Sequence, residues 1–255
     1  MTSSTILALI IPVFNEQENI PVLIKKINSH IKIPIKIYFV YDSDVDQTIP
    51  AIKKELINCN FQIILKKNNY GNGALNAIKT GFETFSEEAC VVVMADGSDD
   101  LSSINGMYGL FCQGFHIVCA SRYMRNGKQI GGGIIKKNLS KIAGKSLYYF
   151  STLPTHDATN SFKLYSKKII DEVKFESKGG FEIGIEILCK AHLLNYAISE
   201  IPTIWKDRYD GTSKFQLINW LPFYLKWYLK IITRKSIILR SNSEIIYNKV
   251  RSVGY

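Results

Sequence analysis

The chain opens on a continuous apolar run at residues 6–13, of strand length and closed by the polar turn Phe14-Asn15-Glu16. Residues 18–30 then place Ile20, Leu23, Ile24 and Ile27 at helical spacing, which predicts a helix with one apolar face. A second strand is expected at 35–41, ending in the acidic loop Asp42-Ser43-Asp44-Val45-Asp46. A helix near 48–58, a third strand at 61–65, a loop at 68–73 and a helix to about residue 85 follow. The fourth strand, 89–94, runs directly into Asp96-Gly97-Ser98-Asp99-Asp100.

That alternation predicts a mostly parallel α/β sheet flanked by helices. Ligands of such sheets sit beyond the carboxyl ends of the strands, where the polar clusters after strands one, two and four fall. The second half is more mixed. A short strand is expected at 117–120, followed by Ser121-Arg122-Tyr123 and the glycine run Gly131-Gly132-Gly133. A helix over about 136–150 takes a basic character from Lys136, Lys137, Lys141 and Lys145. A strand at 162–165, a helix at 182–193 and an edge strand at 197–204 complete the pattern.

The 255 residues suffice for one large domain or a domain with an appendage. Lysine and arginine number 32 against 22 aspartates and glutamates, a net +10 that favours anionic partners. No nucleic-acid recognition motif accompanies the charge, so phosphorylated small molecules and membrane headgroups are the expected partners. Cys59, Cys90, Cys112, Cys119 and Cys189 are scattered, with several in apolar runs, as expected of buried thiols in a reducing compartment. The polar start lacks the basic segment of a signal peptide. No run approaches the roughly 18 apolar residues that span a bilayer. A cytoplasmic protein, soluble or lying on a membrane face, is expected.

Asp96 closes an apolar strand and is followed by small residues and two more aspartates, an arrangement suited to a divalent cation that shares its shell with diphosphate oxygens. Capping of the segment that begins near Leu101 explains one residue of Ser98, Asp99 and Asp100, not the whole cluster. Asp42 is placed to accept a hydrogen bond from a base, whereas Asp44 and Asp46 read as turn or cap residues. Gly71-x-Gly73, ahead of a helix, either lets backbone amides approach a phosphate or serves a tight turn. As a dinucleotide fingerprint it fails, because Asn76 holds the third small position and the strand is the third, not the first.

Pro12-Val13-Phe14-Asn15-Glu16 resembles the P-x-x-N-E opening of family 2 glycosyltransferases, especially the dolichyl- and polyprenyl-phosphate sugar synthases. Residues 41–48, Asn69-x-Gly71-x-Gly73 with Ala77 and Gly81, and Met94-Ala95-Asp96-Gly97-Ser98-Asp99 resemble the motifs that follow in that family. Ser121-Arg122-Tyr123, the segment from Asp157 to Tyr165, and Asp207-Arg208 with Gly211-x-Ser213-Lys214 continue the match in order, to about residue 214. Each motif alone is weak; the ordered series is specific.

The resemblance implies a GT-A-type fold and inverting transfer from a UDP- or GDP-sugar, with a polyprenyl phosphate as acceptor and Mg²⁺ or Mn²⁺ as cofactor. Pro12, Asn15, Glu16, Asp42, Gly71, Gly73 and Asp96 would hold the nucleotide sugar. Asp96, with Ser98 or Asp99, would hold the metal. Asp157 would lie beside the acceptor or act as base, with Asp96 and Arg208 also catalytic. Arg122, Lys136, Arg208 and Lys214 would meet phosphates, the guanidinium groups through paired donors; for Arg122 a structural ion pair is the alternative. Three positions depart from the pattern: Met94 and Tyr41 replace aspartates and Lys163 an arginine. They motivate a second reading, a nucleotide-sugar-binding protein without catalysis. A Rossmann-type oxidoreductase ranks below both.

A catalytic domain is expected over 1–214 and an amphipathic, basic tail over 215–255. Within the tail, Phe215, Trp220 and Trp227 with Lys226 and Lys230 suit a helix in a membrane interface. Packing against the sheet, or a contact between two copies, is the alternative. Arg234, Lys235 and Arg240 follow as a basic stretch, either for anionic lipid or without fixed structure.

Overall fold

β1 (Leu7–Val13) supplies two apolar cores at once. Ala8 and Ile10 enter one cluster, while Leu7, Leu9, Ile11 and Val13 enter the other. This is the period-two alternation of a strand, apolar on both faces as in buried parallel sheets. β2 (Ile35–Tyr41) repeats it, with Tyr38 and Val40 on one face and Ile37 and Phe39 on the opposite one. Helices therefore cover both sides. The computed structural model describes residues 6–56, 59–207 and 219–233.

One face is covered by α1 (Ile20–His30), α2 (Thr48–Glu55) and α4 (Ser103–Cys112), through Leu23, Ile27, Ile52, Ile104 and Met107. The other is covered by α3 (Ala74–Thr84), α6 (Lys167–Glu172) and α7 (Ile183–Leu193), through Leu75, Phe82, Ile169 and Leu188. Between them, the described residues form a seven-stranded sheet. It takes in β1, β2, β3 (Gln62–Lys67), β4 (Ala89–Val92), β5 (Ile117–Ser121), β7 (Lys163–Ser166) and β8 (Ile198–Pro202), in the order β3-β2-β1-β4-β7-β5-β8.

The α/β class and the parallel pairing of β1, β2, β3 and β4 are as the sequence predicts. β7 adds a feature the periodicity cannot carry: it runs antiparallel to both neighbours, β4 and β5. The loop that precedes it, residues 157–162, therefore reaches the same edge as the carboxyl ends of β1, β2, β4 and β5.

The edge strand expected at 197–204 is two strands. β8 stops at Pro202, and the chain then leaves the sheet as β9 (Ile204–Lys206) to pair in parallel with β6 (Lys128–Ile130). Buried Thr203 is the hinge: its amide donates to the Ser121 carbonyl and its carbonyl accepts from Lys128 N. Helix α4 is clear only in the structure, because Gly106 and Gly109 weaken its signal.

The 18-residue α5 (Ile134–Ser151) and a helix at 219–233, here α8, complete the fold. Trp227 and Ile231 of α8 are buried in the core shared with the sheet, so one face of this helix packs on the domain. Lys190, Lys226 and Lys230 ring Trp227, with nitrogens 5.1, 5.1 and 4.5 Å from the ring centroid. All three reach Glu176, whose hydrogen bonds to Lys190 and Lys226 bring its pKa down to about 2. Phe215, Arg234, Lys235 and Arg240 lie outside the described residues.

α5 approaches the sheet loops at Gly144, where a β-carbon would stand 2.1 Å from the His156 carbonyl oxygen. Gly144→Ala should therefore cost about 1–3 kcal/mol through overpacking. Gly109→Ala, on open helix surface, should instead stabilise by about 0.5–1 kcal/mol. Urea unfolding of the two variants checks both signs.

Candidate functional site

A cleft of about 750 Å³ lies over the carboxyl edge of the sheet. From the first half it gathers Pro12, Glu16, Asp42, Gly73, Asp96 and Ser98; from the second, Arg122 and Lys136. Asn15, Gly71, Asp99 and Asp157 are not on its lining: Asp99 and Asp157 are buried, whereas Asn15 and Gly71 are exposed. Arg208 and Lys214 lie outside the described residues.

One corner is assembled by carboxylates that bind backbone. Asp42 accepts from the Asn68 side chain and from Gly73 N, both at 2.8 Å, which ties the end of β2 to the start of α3. The first turn of α3, Ala74 to Ala77, lines the cleft, which puts a helix N-terminus, a site suited to a phosphate, on its wall. Buried Asp46 accepts from Asn15 N, Thr48 N and Thr48 Oγ1. It thereby closes the turn onto Thr48, the first residue of α2, and holds Asn15, which sits at φ 54°. Asp44 pairs with Lys67 on the surface. Glu16 rests its amide on Thr48 Oγ1 and accepts from the Asn19 side chain at 2.6 Å.

The turn after β4 sets the position of Asp96. Ser98 N donates to its carboxylate at 3.1 Å, and Lys26 Nζ donates to the Gly97 carbonyl at 3.1 Å. Gly97 has φ +71°, a conformation that costs a residue with a β-carbon more. Asp99 turns away from the cleft and accepts from Met94 N at 3.0 Å. Burial drives its pKa up to about 7, against the pull of the Met94 amide and with help from the Asp96 charge.

Among the described residues, no three His, Cys, Asp or Glu side chains gather as a metal site. Asp96, in the cleft beside Ser98, fits the sparser site of a Mg²⁺ or Mn²⁺ ion bound mainly by diphosphate and water. Asp99 is committed to the backbone and serves that turn as its staple.

The far end is built on an ion pair. Arg122 Nε donates to Asp157 Oδ2 at 2.7 Å, its NH2 nitrogen to Oδ1 at 2.9 Å, and its backbone N to Oδ2 at 3.0 Å. The same NH2 nitrogen reaches Ser140 Oγ of α5 at 3.1 Å. Burial raises the Asp157 pKa, but the charge and hydrogen bonds of Arg122 outweigh it, and the net value lies below the ordinary one. A carboxylate held in this way is a poor proton acceptor. Behind it, fully buried Lys163 donates to the carbonyls of Ala158 and Asn160 and so braces the loop that carries Asp157.

Motif reading missed the opposite wall. Glu182, at the start of α7, accepts from the amides of Lys178, Gly179 and Gly180. Glu186 does the same for Glu176 and Ser177, at 2.6 and 2.8 Å. The loop so fixed presents Lys178 and Phe181 to the cleft, and α8 adds Trp220, Leu221 and Tyr224. Only the Gly179-Gly180 pair next to Glu182 signals this loop in the sequence.

Replacing Asp157 by Asn leaves the Arg122 charge buried and unpaired, at an expected cost of about 3–5 kcal/mol. Because the folded pKa is depressed, the contribution is complete above the unfolded value of about 3.9 and is lost as the pH falls through the folded one. Denaturant unfolding from neutral to acid pH should show the wild-type advantage over Asp157→Asn shrinking only in acid.

The sequence and the fold have counterparts among known proteins. The model of the family "Glycosyl transferase family 2" matches residues 8–174. A dolichol-phosphate mannosyltransferase of Pyrococcus furiosus is 25% identical over 231 residues, 86% of this chain. The chain spans 64% of that relative's length. A polyprenol monophosphomannose synthase of Mycolicibacterium smegmatis is 23% identical, over 82% of this chain and 81% of its own. In fold, the chain is similar to glucosyl-3-phosphoglycerate synthase of Mycobacterium tuberculosis, solved with Mn²⁺, UDP and glucosyl-3-phosphoglycerate. The TM-score is 0.65 at 12% identity, over 91% of this chain and 81% of that one. With two thirds of its length matched by the family model, the chain belongs to glycosyl transferase family 2.

Proposed function

We propose that the chain transfers a sugar from a UDP- or GDP-sugar to a polyprenyl phosphate, with inversion at the anomeric carbon. One observation carries this reading: the cleft joins a half built of carboxylates and helix amides to a half walled by Leu139, Ala143, Trp220, Leu221 and Tyr224. The first suits a nucleoside diphosphate and the second a lipid chain. The printed names of the two relatives, both lipid-phosphate mannosyl enzymes, support the same acceptor.

In this reading Asp42 and Glu16 meet the nucleoside, and the α3 amides meet the diphosphate. Asp96 would hold the Mg²⁺ or Mn²⁺, which when bound offsets charge on the diphosphate. An oxygen of the acceptor phosphate attacks the anomeric carbon as its bond to the diphosphate oxygen breaks, and the nucleoside diphosphate departs. That phosphate oxygen is already ionised near neutral pH, so no general base is required. Asp157 then serves by holding Arg122 at the cleft, and Lys136, with Arg208 and Lys214, supplies cations for the phosphates. A lipid acceptor would put the work at a membrane, in this reading at its cytoplasmic face.

The test is release of nucleoside diphosphate by the purified chain with Mg²⁺ or Mn²⁺, a panel of UDP- and GDP-sugars, and polyprenyl phosphate. Release should require the lipid phosphate and fall about a hundredfold or more in Asp96→Ala. Met94→Asp should leave that rate unchanged or raise it. Nucleotide binding without turnover of any donor would instead favour the non-catalytic reading that Met94 and Tyr41 motivate.

A further inference from the structure

Among the described residues of the second half, most of the exposed large apolar side chains lie on α5 and α8. In α5, Ile135, Ile142 and Tyr149 are 71%, 66% and 68% exposed and recur every seven residues, so they form one stripe along the helix. Ile134 and Phe150 extend it at the two ends. The opposite side of α5 is fixed to the domain by buried Leu147, by the close approach at Gly144, and by Tyr148, stacked 3.8 Å from the His156 ring. These contacts turn the stripe away from the domain. In α8, Leu221, Leu225 and Leu229 lie four apart and are 45%, 48% and 50% exposed, on a face other than that of Trp227. The helices join where Tyr228 Oη donates to Ser146 Oγ at 2.9 Å. Leu139 of α5 and Leu221 of α8 line the cleft and are also exposed, so the apolar surface runs into its mouth.

We propose that this α5–α8 surface lies on an anionic bilayer, with the stripe and the leucine row in the acyl boundary and the cleft mouth facing the lipid. Charge selects this occupant. Helix α5 has four lysines and no acidic residue, and Lys141 and Lys145 flank the stripe, where their stems follow the apolar surface and their ammonium groups reach headgroup phosphates. A second copy of the chain is disfavoured by the same feature, since a two-fold contact would bring each basic helix against its twin. The surface also assigns the membrane contact chiefly to α5, inside the catalytic region, whereas α8 turns Trp227 into the core. This deepens the lipid-acceptor reading and rests on it for one consequence: the acceptor phosphate slides into the cleft from the bilayer without its tail crossing water.

Flotation of the full chain with phosphatidylcholine vesicles, with and without phosphatidylglycerol, tests the surface. The wild type should float with the anionic vesicles and much less with the neutral ones. Two variants, Ile135→Ser/Ile142→Ser/Tyr149→Ser and Lys141→Glu/Lys145→Glu, should each lose about tenfold or more in partitioning. Unchanged circular dichroism and UDP or GDP binding would show that both remain folded. Turnover of a short, water-soluble prenyl phosphate should be retained in the variants, while turnover of a long acceptor in vesicles falls. Equal flotation of wild type and variants would overturn the proposal. So would a wild-type dimer, by light scattering, that the stripe variant dissolves. Loss of flotation in the variants, with no prenyl phosphate turned over even by the wild type, would instead leave the surface standing and sink the acceptor assignment.

Discussion

The Arg122 guanidinium is almost wholly withdrawn from water, and it is tolerable there only because Asp157 meets it with both carboxylate oxygens. Removing two ions from solvent costs several kcal/mol each, so the geometry must be nearly complete for the pair to persist. That demand organises the second half of the site. Arg122 follows β5, Asp157 lies in the loop before β7, and Ser140 of α5 takes a further hydrogen bond from the guanidinium. Lys163 braces the same loop from behind by capping two of its carbonyls. Three elements distant in sequence are thus registered against one planar cation.

The rest of the site follows a different rule, in which carboxylates bind backbone amides and fix loops. Asp42 binds Gly73, Asp46 binds Asn15 and Thr48, Asp99 binds Met94, and Glu182 and Glu186 gather the loop before α7. Such bonds are stronger than neutral ones, and each fixes a loop of the site against a carboxylate. Asp96 and Glu16 also line the cleft, where Asp96 accepts from Ser98 N and Glu16 from the Asn19 side chain.

This division explains what the sequence discloses. The α/β order and the parallel left half were legible because apolar runs and helical spacing are local signals. The cleft was legible in part: Pro12, Glu16, Asp42, Gly73, Asp96, Ser98, Arg122 and Lys136 do line it. Asp99 and Asp157 have the same residue type and motif context as a ligand would, yet their bonding partners, Met94 N and Arg122, appear only in three dimensions. The direction of β7 was illegible because a strand's periodicity reads the same both ways. The α7 loop and the α5 stripe were passed over, the loop because its carboxylates sit in an ordinary helix start, and the stripe because exposure depends on which side of α5 meets the domain.

Residues 163–166 sit between residues 89–92 and 117–121 in the sheet, so a late segment is stitched between two earlier ones. While the chain emerges from the ribosome, β4 and β5 each keep an open edge until β7 arrives. The first four strands can pair in parallel before then, but the sheet's right half has no scaffold to grow on. Exposed strand edges invite wrong partners, and such half-built sheets are the species that chaperones meet. The stitch also removes any point between β4 and β8 at which the chain could be cut into separately folding pieces.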